Sequence, residues 1–291
     1  MKLKLTRRQF GQLMIASTAV AGLGYLGKKT FAQTPLITSS TIYGAHPDRQ
    51  RGGLVLQSLN LTTKQIQDIG TVPIERGERL ESLTYLALNT FLLTIGPVTA
   101  SKKENDPPRL VTVILGQIPV SVPVPGFNKL ETLRSVRVTN DGSLIALVHR
   151  KDKKSARLVN LNARTAAISN RDNIKLPENE RFDNLVQLPN GITYTTIFGL
   201  QGDTSLVPLN LETGQVSQGV QLKINGTVWN NGFTSLASAP GNLIYAVGNG
   251  RHLTPNNLYT IDPSTGAITL VQQWDAVKIA TNVGGILRGL L

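Results

Sequence analysis

From Leu36 onward the hydrophobic positions fall in short runs, broken every few residues by Gly, Pro, Asn or Asp, a pattern of short strands joined by tight turns. The stretch LYTIDPSTGAITLV, Leu258 to Val271, shows it best: two apolar-alternating segments about an Asp-Pro-Ser-Thr-Gly reversal. Three upstream segments align on the same turn, namely LQSLNLTTKQI (Leu56 to Ile66), LVNLNARTAAI (Leu158 to Ile168) and LVPLNLETGQV (Leu206 to Val216). Each places Asn or Asp at the end of a strand, where its side chain can accept from backbone N–H groups two or three residues on. Pro263 presets φ within its turn, and Gly214 and Gly266 suit a left-handed position. Lys64 and Ala166 stand where those glycines would be, so their turns are expected to be strained or differently closed.

A strand–turn–strand element precedes each hairpin: ERLESLTYLALNTFLLTIG, ETLRSVRVTNDGSLIALVH, ERFDNLVQLPNGITYTTIF and NGFTSLASAPGNLIYAVGN. Their starts, Glu78, Glu131, Glu180 and Asn231, lie 53, 49 and 51 residues apart. Two strands plus a hairpin at that period make a four-stranded blade, and its radial repetition is a β-propeller. Residues 78–126, 131–176, 180–222 and 231–274 supply complete units, the first with a degenerate outer hairpin. Leu36 to Pro73 supplies only three strands, and VKIATNVGGILRGLL after them only one. Pairing that tail with the head closes the ring and removes open sheet edges, so the expectation is an all-β, five-bladed propeller over residues 34–291. The competing architecture is a hairpin-rich β-sandwich. The polar insert PVTASKKENDPPR, Pro97 to Arg109, reads as a loop inside a blade rather than a linker.

Composition changes this picture in two ways. The chain has no cysteine, which excludes disulfides and thiolate chemistry, so stability rests on packing and strand pairing. The first 33 residues form a basic start with Thr6, Arg7, Arg8 and Phe10, then 15 apolar residues from Leu13 to Gly27, then Lys28, Lys29 and TFAQ. This resembles a twin-arginine export signal, although Gly11 and Gln12 replace the usual Leu-Lys. The apolar run is shorter than the roughly 20 residues a membrane-spanning helix needs. Such a signal implies a periplasmic, thylakoid-lumenal or extracellular destination, with small residues Thr30 and Ala32 offering cleavage after Ala32. The leader carries six basic residues and no acids, so half of the net charge of +12 belongs to it.

On the propeller mapping, the inner loops 45–53, 97–109, 149–155, 199–204 and 248–256 share one face and together carry a charge of +5. Arg49, Arg51, Lys102, Lys103, Arg109, Arg150, Lys151, Lys153, Lys154 and Arg251 supply it, densest in HRKDKK at His149 to Lys154. Such a face attracts acidic partners with a strength that falls as salt rises; a solvated loop set is the structural alternative. Nearer the axis, the repeated Glu-x-Leu/Phe-x-Ser/Asn pattern brings Glu78, Glu131 and Glu180 to equivalent positions, with Arg79, Glu81, Arg134, Arg181 and Asp183 close by. These are candidates for a channel mouth that holds a polar ligand, or for ion pairs tying blades together.

Five-bladed propellers include glycoside hydrolases, which use funnel carboxylates as acid, base or nucleophile. That is the alternative reading, weakened because the rim segments offer only Phe182 and Phe233 as sugar platforms, with Trp229 and Trp274 reading as blade-packing residues. No catalytic residue is assigned. His46, His149 and His252 fall in three blades without ligand spacing, reading as surface histidines, and no metal or cofactor is expected. VGGILRG lacks a phosphate-binding context. The LYxIDPxTG-type repeat resembles that of secreted bacterial propellers, many of unassigned activity, and being structural it transfers no site. The resulting expectation is an exported, monomeric binding module that recognises an acidic polysaccharide, an anionic membrane surface or an acidic protein, and not nucleic acid.

Overall fold

The computed structural model describes residues 40–48, 52–87, 89–98, 106–127, 131–139, 143–150, 155–162, 165–177, 181–199, 202–249 and 256–282. Strands β1 (Thr41–Asp48), β2 (Gly53–Asn60) and β3 (Ile66–Val72) come first. The next blade is β4 (Glu78–Ala87), β5 (Thr90–Pro97), β6 (Arg109–Ile114) and β7 (Val120–Pro123). Strands β8 (Glu131–Val138), β9 (Leu144–Arg150), β10 (Ala156–Leu161) and β11 (Ile168–Lys175) form another, and β12 (Arg181–Gln187), β13 (Thr193–Phe198), β14 (Thr204–Pro208) and β15 (Val220–Gln221) a third. After the short β16 (Lys223–Ile224) and β17 (Thr227–Val228) come β18 (Ser235–Ser238), β19 (Ile244–Gly248), β20 (Asn257–Ile261) and β21 (Ala267–Gln273), and finally β22 (Lys278–Thr281).

The sheets are five, and the molecule is a five-bladed β-propeller. Head and tail share one blade, ordered β22-β1-β2-β3, with Ile42 opposite Thr281 and Gly44 opposite Ile279. Gly44 is needed at this seam, because a Cβ there would fall 2.4 Å from the Trp274 ring and 2.8 Å from the Ala276 Cβ. The inner strands close into a circle in which β4 abuts β8, β8 abuts β12, β12 abuts β18, β18 abuts β22 and β22 returns to β4. Because each blade packs both faces against neighbours, its central strands are buried at consecutive positions, as from Phe91 to Pro97 of β5 and throughout β19. One buried hydrophobic cluster fills each of the five interfaces, as with Ile42, Leu59, Tyr245, Leu258, Trp274 and Ile279 at the seam. Trp274 and Trp229 are both core residues, Trp229 stacking on Phe233 at 5.0 Å.

The four aligned turns close identically. Asn60, Asn162, Asn210 and Asp262 each accept on Oδ1 from backbone N–H groups two or three residues on, at 2.8–3.0 Å. Each also accepts on its carbonyl from the N–H four residues on, that of Lys64, Ala166, Gly214 or Gly266. That fourth residue has φ of 61°, 55°, 73° and 74° respectively, so Lys64 and Ala166 adopt the left-handed conformation despite their Cβ instead of closing differently.

Two features differ from the sequence reading. The outer hairpin around residues 109–123 is a regular antiparallel pair, β6 with β7, which makes that blade complete. The stretch after β15 is not a plain connection. Asn225 and Gly226, both at positive φ, fold β16 and β17 into a minimal hairpin, and β16 pairs in parallel with β21, covering that blade's outer edge.

Candidate functional site

The innermost strand of a propeller blade has a neighbour on one side only, so its other edge presents unpaired carbonyls and N–H groups to the central channel. Here one side chain answers several of them. The Arg137 guanidinium donates from Nη1 to the carbonyls of Leu83 and Val136 at 2.9 Å each, from Nε to Leu185 O at 2.9 Å and from Nη2 to Leu236 O at 2.6 Å. Those carbonyls stand at equivalent places on β4, β8, β12 and β18. Desolvation lowers the guanidinium to about 10, which leaves it protonated at neutral pH. Arg137 therefore crosses the channel as a bolt.

Two residues before those carbonyls, and at the equivalent place at the start of β22, lies a polar ring with one member per blade: Glu81, Arg134, Asp183, Thr234 and Lys278. A register shift accompanies it on β4 between Leu80 and Ser82, on β8 between Leu133 and Ser135, and on β12 between Asp183 and Leu185. Such bulges re-aim side chains, which otherwise alternate toward the two neighbouring blades. Glu81 is almost fully buried and holds Arg79 at 2.6 Å and, across the blade interface, Arg134 at 3.6 Å. Lys278 donates from Nζ to Thr234 O at 2.5 Å. Its ammonium is lowered to about 8, foremost by desolvation; Asp183 and Glu81 oppose that shift, and Arg134 and Arg137 add to it.

The sequence-derived candidates divide accordingly. Arg134 and Asp183 belong to the ring, and Arg79 pairs with its member Glu81. Arg181 stands at the start of β12 with its guanidinium 5.1 Å over the Phe198 ring. Glu78 and Glu131 do not join them: each turns across its own blade into a two-pronged ion pair, Glu78 with Arg109 at 2.8 and 3.1 Å, Glu131 with Arg157 at 2.9 and 3.0 Å. These pairs brace first to third strand within a blade, whereas Glu81 to Arg134 is the bridge between blades. Arg109, counted with the basic loops, is thereby held in a strand. Arg150 is half-buried at the end of β9, opposite Glu131 in register. Phe182 and Phe233 are buried core residues, which removes them as sugar platforms. Arg49, Arg51, Lys102, Lys103, Lys151, Lys153, Lys154, Glu180, Arg251 and His252, like the leader of residues 1–33, lie outside the described residues.

Lys278 and Arg137 were not among the sequence candidates. Laying DAVKIATN beneath the repeated motif aligns Lys278 with Glu81, Arg134, Asp183 and Thr234, a signal present in the tail. His149 is not a surface residue: it is the penultimate residue of β9, half-buried, with Nε2 enclosed and without a hydrogen-bond partner among the described residues. Burial pushes its imidazole down to about 4, against the pull of Asp183 and with the repulsion of Arg134 and Arg181. Free histidine titrates near 6.5, so the unfolded chain takes up a proton between about pH 6.5 and 4 that the native protein refuses. Stability is therefore expected to fall as pH drops through that window, by on the order of 2 kcal/mol. Urea midpoints measured from pH 7 to 4 should show the slope, and His149→Gln should flatten it.

Among the described residues, no group of three or more His, Cys, Asp or Glu is disposed to hold a metal, and no helix is long and apolar enough to cross a membrane. No family model and no curated protein sequence matches the chain. Solved structures do resemble it. An exo-β-1,3-galactanase from Clostridium thermocellum superposes with a TM-score of 0.59 at 14% identity, over 81% of this chain and 60% of that one. A GH43 β-1,3-galactosidase gives 0.60 at 12% identity, over 82% and 58%. A Bacteroides caccae protein of unknown function gives 0.47 at 12%, over 83% and 98%. At such identities the likeness is one of fold, and this chain spans about three-fifths of the two enzymes' length.

Proposed function

We propose that this protein is an exported, non-catalytic binding propeller that recognises an acidic polysaccharide through the basic face around its channel. The observation that carries the reading is the excess of cations along the inner strands. The ring itself is balanced, Arg134 and Lys278 against Glu81 and Asp183, but Arg79 and Arg181 add two positive charges beside it, and the Glu81 carboxylate is already engaged by two guanidiniums. A hydrolase would need two carboxylates facing a sugar and free to move protons; Glu81 is committed to ion pairing, and Glu78 and Glu131 are committed within their blades. The likeness to galactan-acting enzymes supports the fold and carries no chemistry across. In the sequence, further basic residues follow β9 and β5, Lys151, Lys153 and Lys154 after the one and Lys102 and Lys103 after the other. The twin-arginine-like leader supplies the compartment, where acidic envelope polymers are available.

Retention on immobilised polygalacturonate tests the reading. Binding is expected at low salt and is expected to weaken as ionic strength rises toward about 0.5 M. Reversing Lys151, Lys153 and Lys154 to Glu together should cut it at least about tenfold, since near-surface charge pairs contribute additively to steering. No reducing ends should appear on prolonged incubation. Retention on anionic vesicles or on an acidic protein instead would reassign the partner, and release of sugar that disappears in Asp183→Asn would replace binding by hydrolysis.

A further inference from the structure

We infer that the polar ring above Arg137 is a closed-ended pocket for one terminal hydroxy-carboxylate unit, a uronate at a chain end being the model ligand, an inference that rests on the binding role proposed above. Depth comes first. Arg137 lies three positions further along β8 than Arg134, about 7–10 Å by strand rise, and its four carbonyl bonds block the channel at that level. A polymer cannot thread past it, so whatever enters from the ring side enters by an end.

The second argument is the alternation of donors and acceptors. Around the circle stand Glu81, Arg134, Asp183, Thr234 and Lys278; Glu81 is taken up by Arg79 and Arg134 and the Thr234 hydroxyl donates to Val247 O, which leaves the order donor, acceptor, donor in Arg134, Asp183 and Lys278. A bare anion would satisfy the cations and face Asp183 and Glu81 unfavourably. A ligand with a single carboxylate and neighbouring hydroxyls satisfies both, its carboxylate between Arg134 and Lys278 and a hydroxyl donating to Asp183. Capacity for this remains on the protein side. Among the described residues Arg134, a third exposed, pairs with Glu81 alone, through Nη1 at 3.6 Å; its Nε is enclosed, so what it offers a ligand is the exposed end of the guanidinium. The Lys278 ammonium has one bond, to Thr234 O, and two further donors.

Calorimetric or saturation-transfer titration with galacturonate and glucuronate provides the test, with galactose, acetate and inorganic sulfate as comparators. Uronate is expected to bind, and galactose and acetate at least about tenfold more weakly, because each supplies half of the contacts. Lys278→Gln and Arg134→Gln should each weaken uronate roughly ten- to hundredfold, the range for losing a charged hydrogen bond, while Lys278→Arg restores much of it. Thermal unfolding of each variant confirms that the fold is kept. Sulfate binding as tightly as uronate, uronate binding unchanged in both Gln variants, or no uronate binding would each overturn the inference. The two readings fail separately. If polygalacturonate is retained and uronate is not bound, the basic face stands without the pocket; if uronate binds and the polymer is not retained, the pocket stands without the face.

Discussion

Ending the chain at Ala276 is expected to abolish cooperative folding, although it removes only one four-residue strand of the described structure. β22 is the inner strand of the seam blade, and it feeds two cores at once: Ile279 is fully buried between seam and preceding blade, and Ala280 on the other side with Tyr43, Leu54 and Leu83. Losing a buried Ile costs about 2–5 kcal/mol. The strand also carries the ladder to β1 and contacts that no other segment can replace, including Ile279 N–H to Ser235 Oγ at 3.1 Å and Thr281 Oγ1 to Ser238 O at 2.7 Å. At about 1 kcal/mol for each net hydrogen bond, the total approaches the 5–15 kcal/mol by which whole domains are stable. The edge of β1 would be opened to water as well. Far-ultraviolet dichroism and urea unfolding should report a loosely structured or aggregating chain. Adding a peptide of residues 275–291 should restore a cooperative transition. A truncated protein within about 2 kcal/mol of the full chain would mean that the seam is not what holds the ring together.

Ring closure was legible because it depends on counting: three strands at one end, one at the other and four complete units between require the ends to meet. The turns were legible for a local reason, since an Asx side chain and the backbone it caps lie within four residues of each other. Even there Lys64 and Ala166 show tertiary context overriding the preference for glycine at positive φ. The channel was only half legible. The repeated glutamates 78 and 131 marked the right strands but the wrong level, because whether a side chain faces a neighbouring strand or the axis turns on a bulge two residues later, and a bulge leaves no mark in the composition. His149 was misread for a related reason: it adjoins a run of lysines, yet it belongs to the strand before them, where Phe182 and Arg134 of neighbouring elements enclose it. Nothing local announces Arg137 at all. Its partners lie 48, 54 and 99 residues away, apart from the one next to it, and are backbone atoms that any sequence would supply.

For that reason Arg137 carries the second large effect. Arg137→Ala is expected to destabilise the protein by about 3 kcal/mol, a figure set by two opposed contributions. Four inner-edge carbonyls lose a charged donor; Val136 O keeps the Thr84 hydroxyl at 2.7 Å, while those of Leu83, Leu185 and Leu236 lose their side-chain donor, and orphaning a buried acceptor costs about 1–3 kcal/mol. Water entering the channel can then satisfy part of what the guanidinium leaves behind, which keeps the sum below three full penalties. Arg137→Lys separates charge from geometry. An ammonium retains the charge but offers three donors from one point, whereas the fork of the guanidinium reaches β4, β8, β12 and β18 together, so lysine is expected to recover less than half of the loss. Arg137→Met, of similar length and without donors, should behave like alanine if the bonds matter and like wild type if only the filled volume matters. Urea midpoints of the three variants decide between these accounts, and a loss under about 1 kcal/mol for alanine would show that the inner edges are satisfied without the bolt. The same variants bear on the pocket, since opening its floor should let an acidic chain pass through and blur the preference for an end over an interior unit, whereas a ring that works as a flat surface would keep its selectivity unchanged.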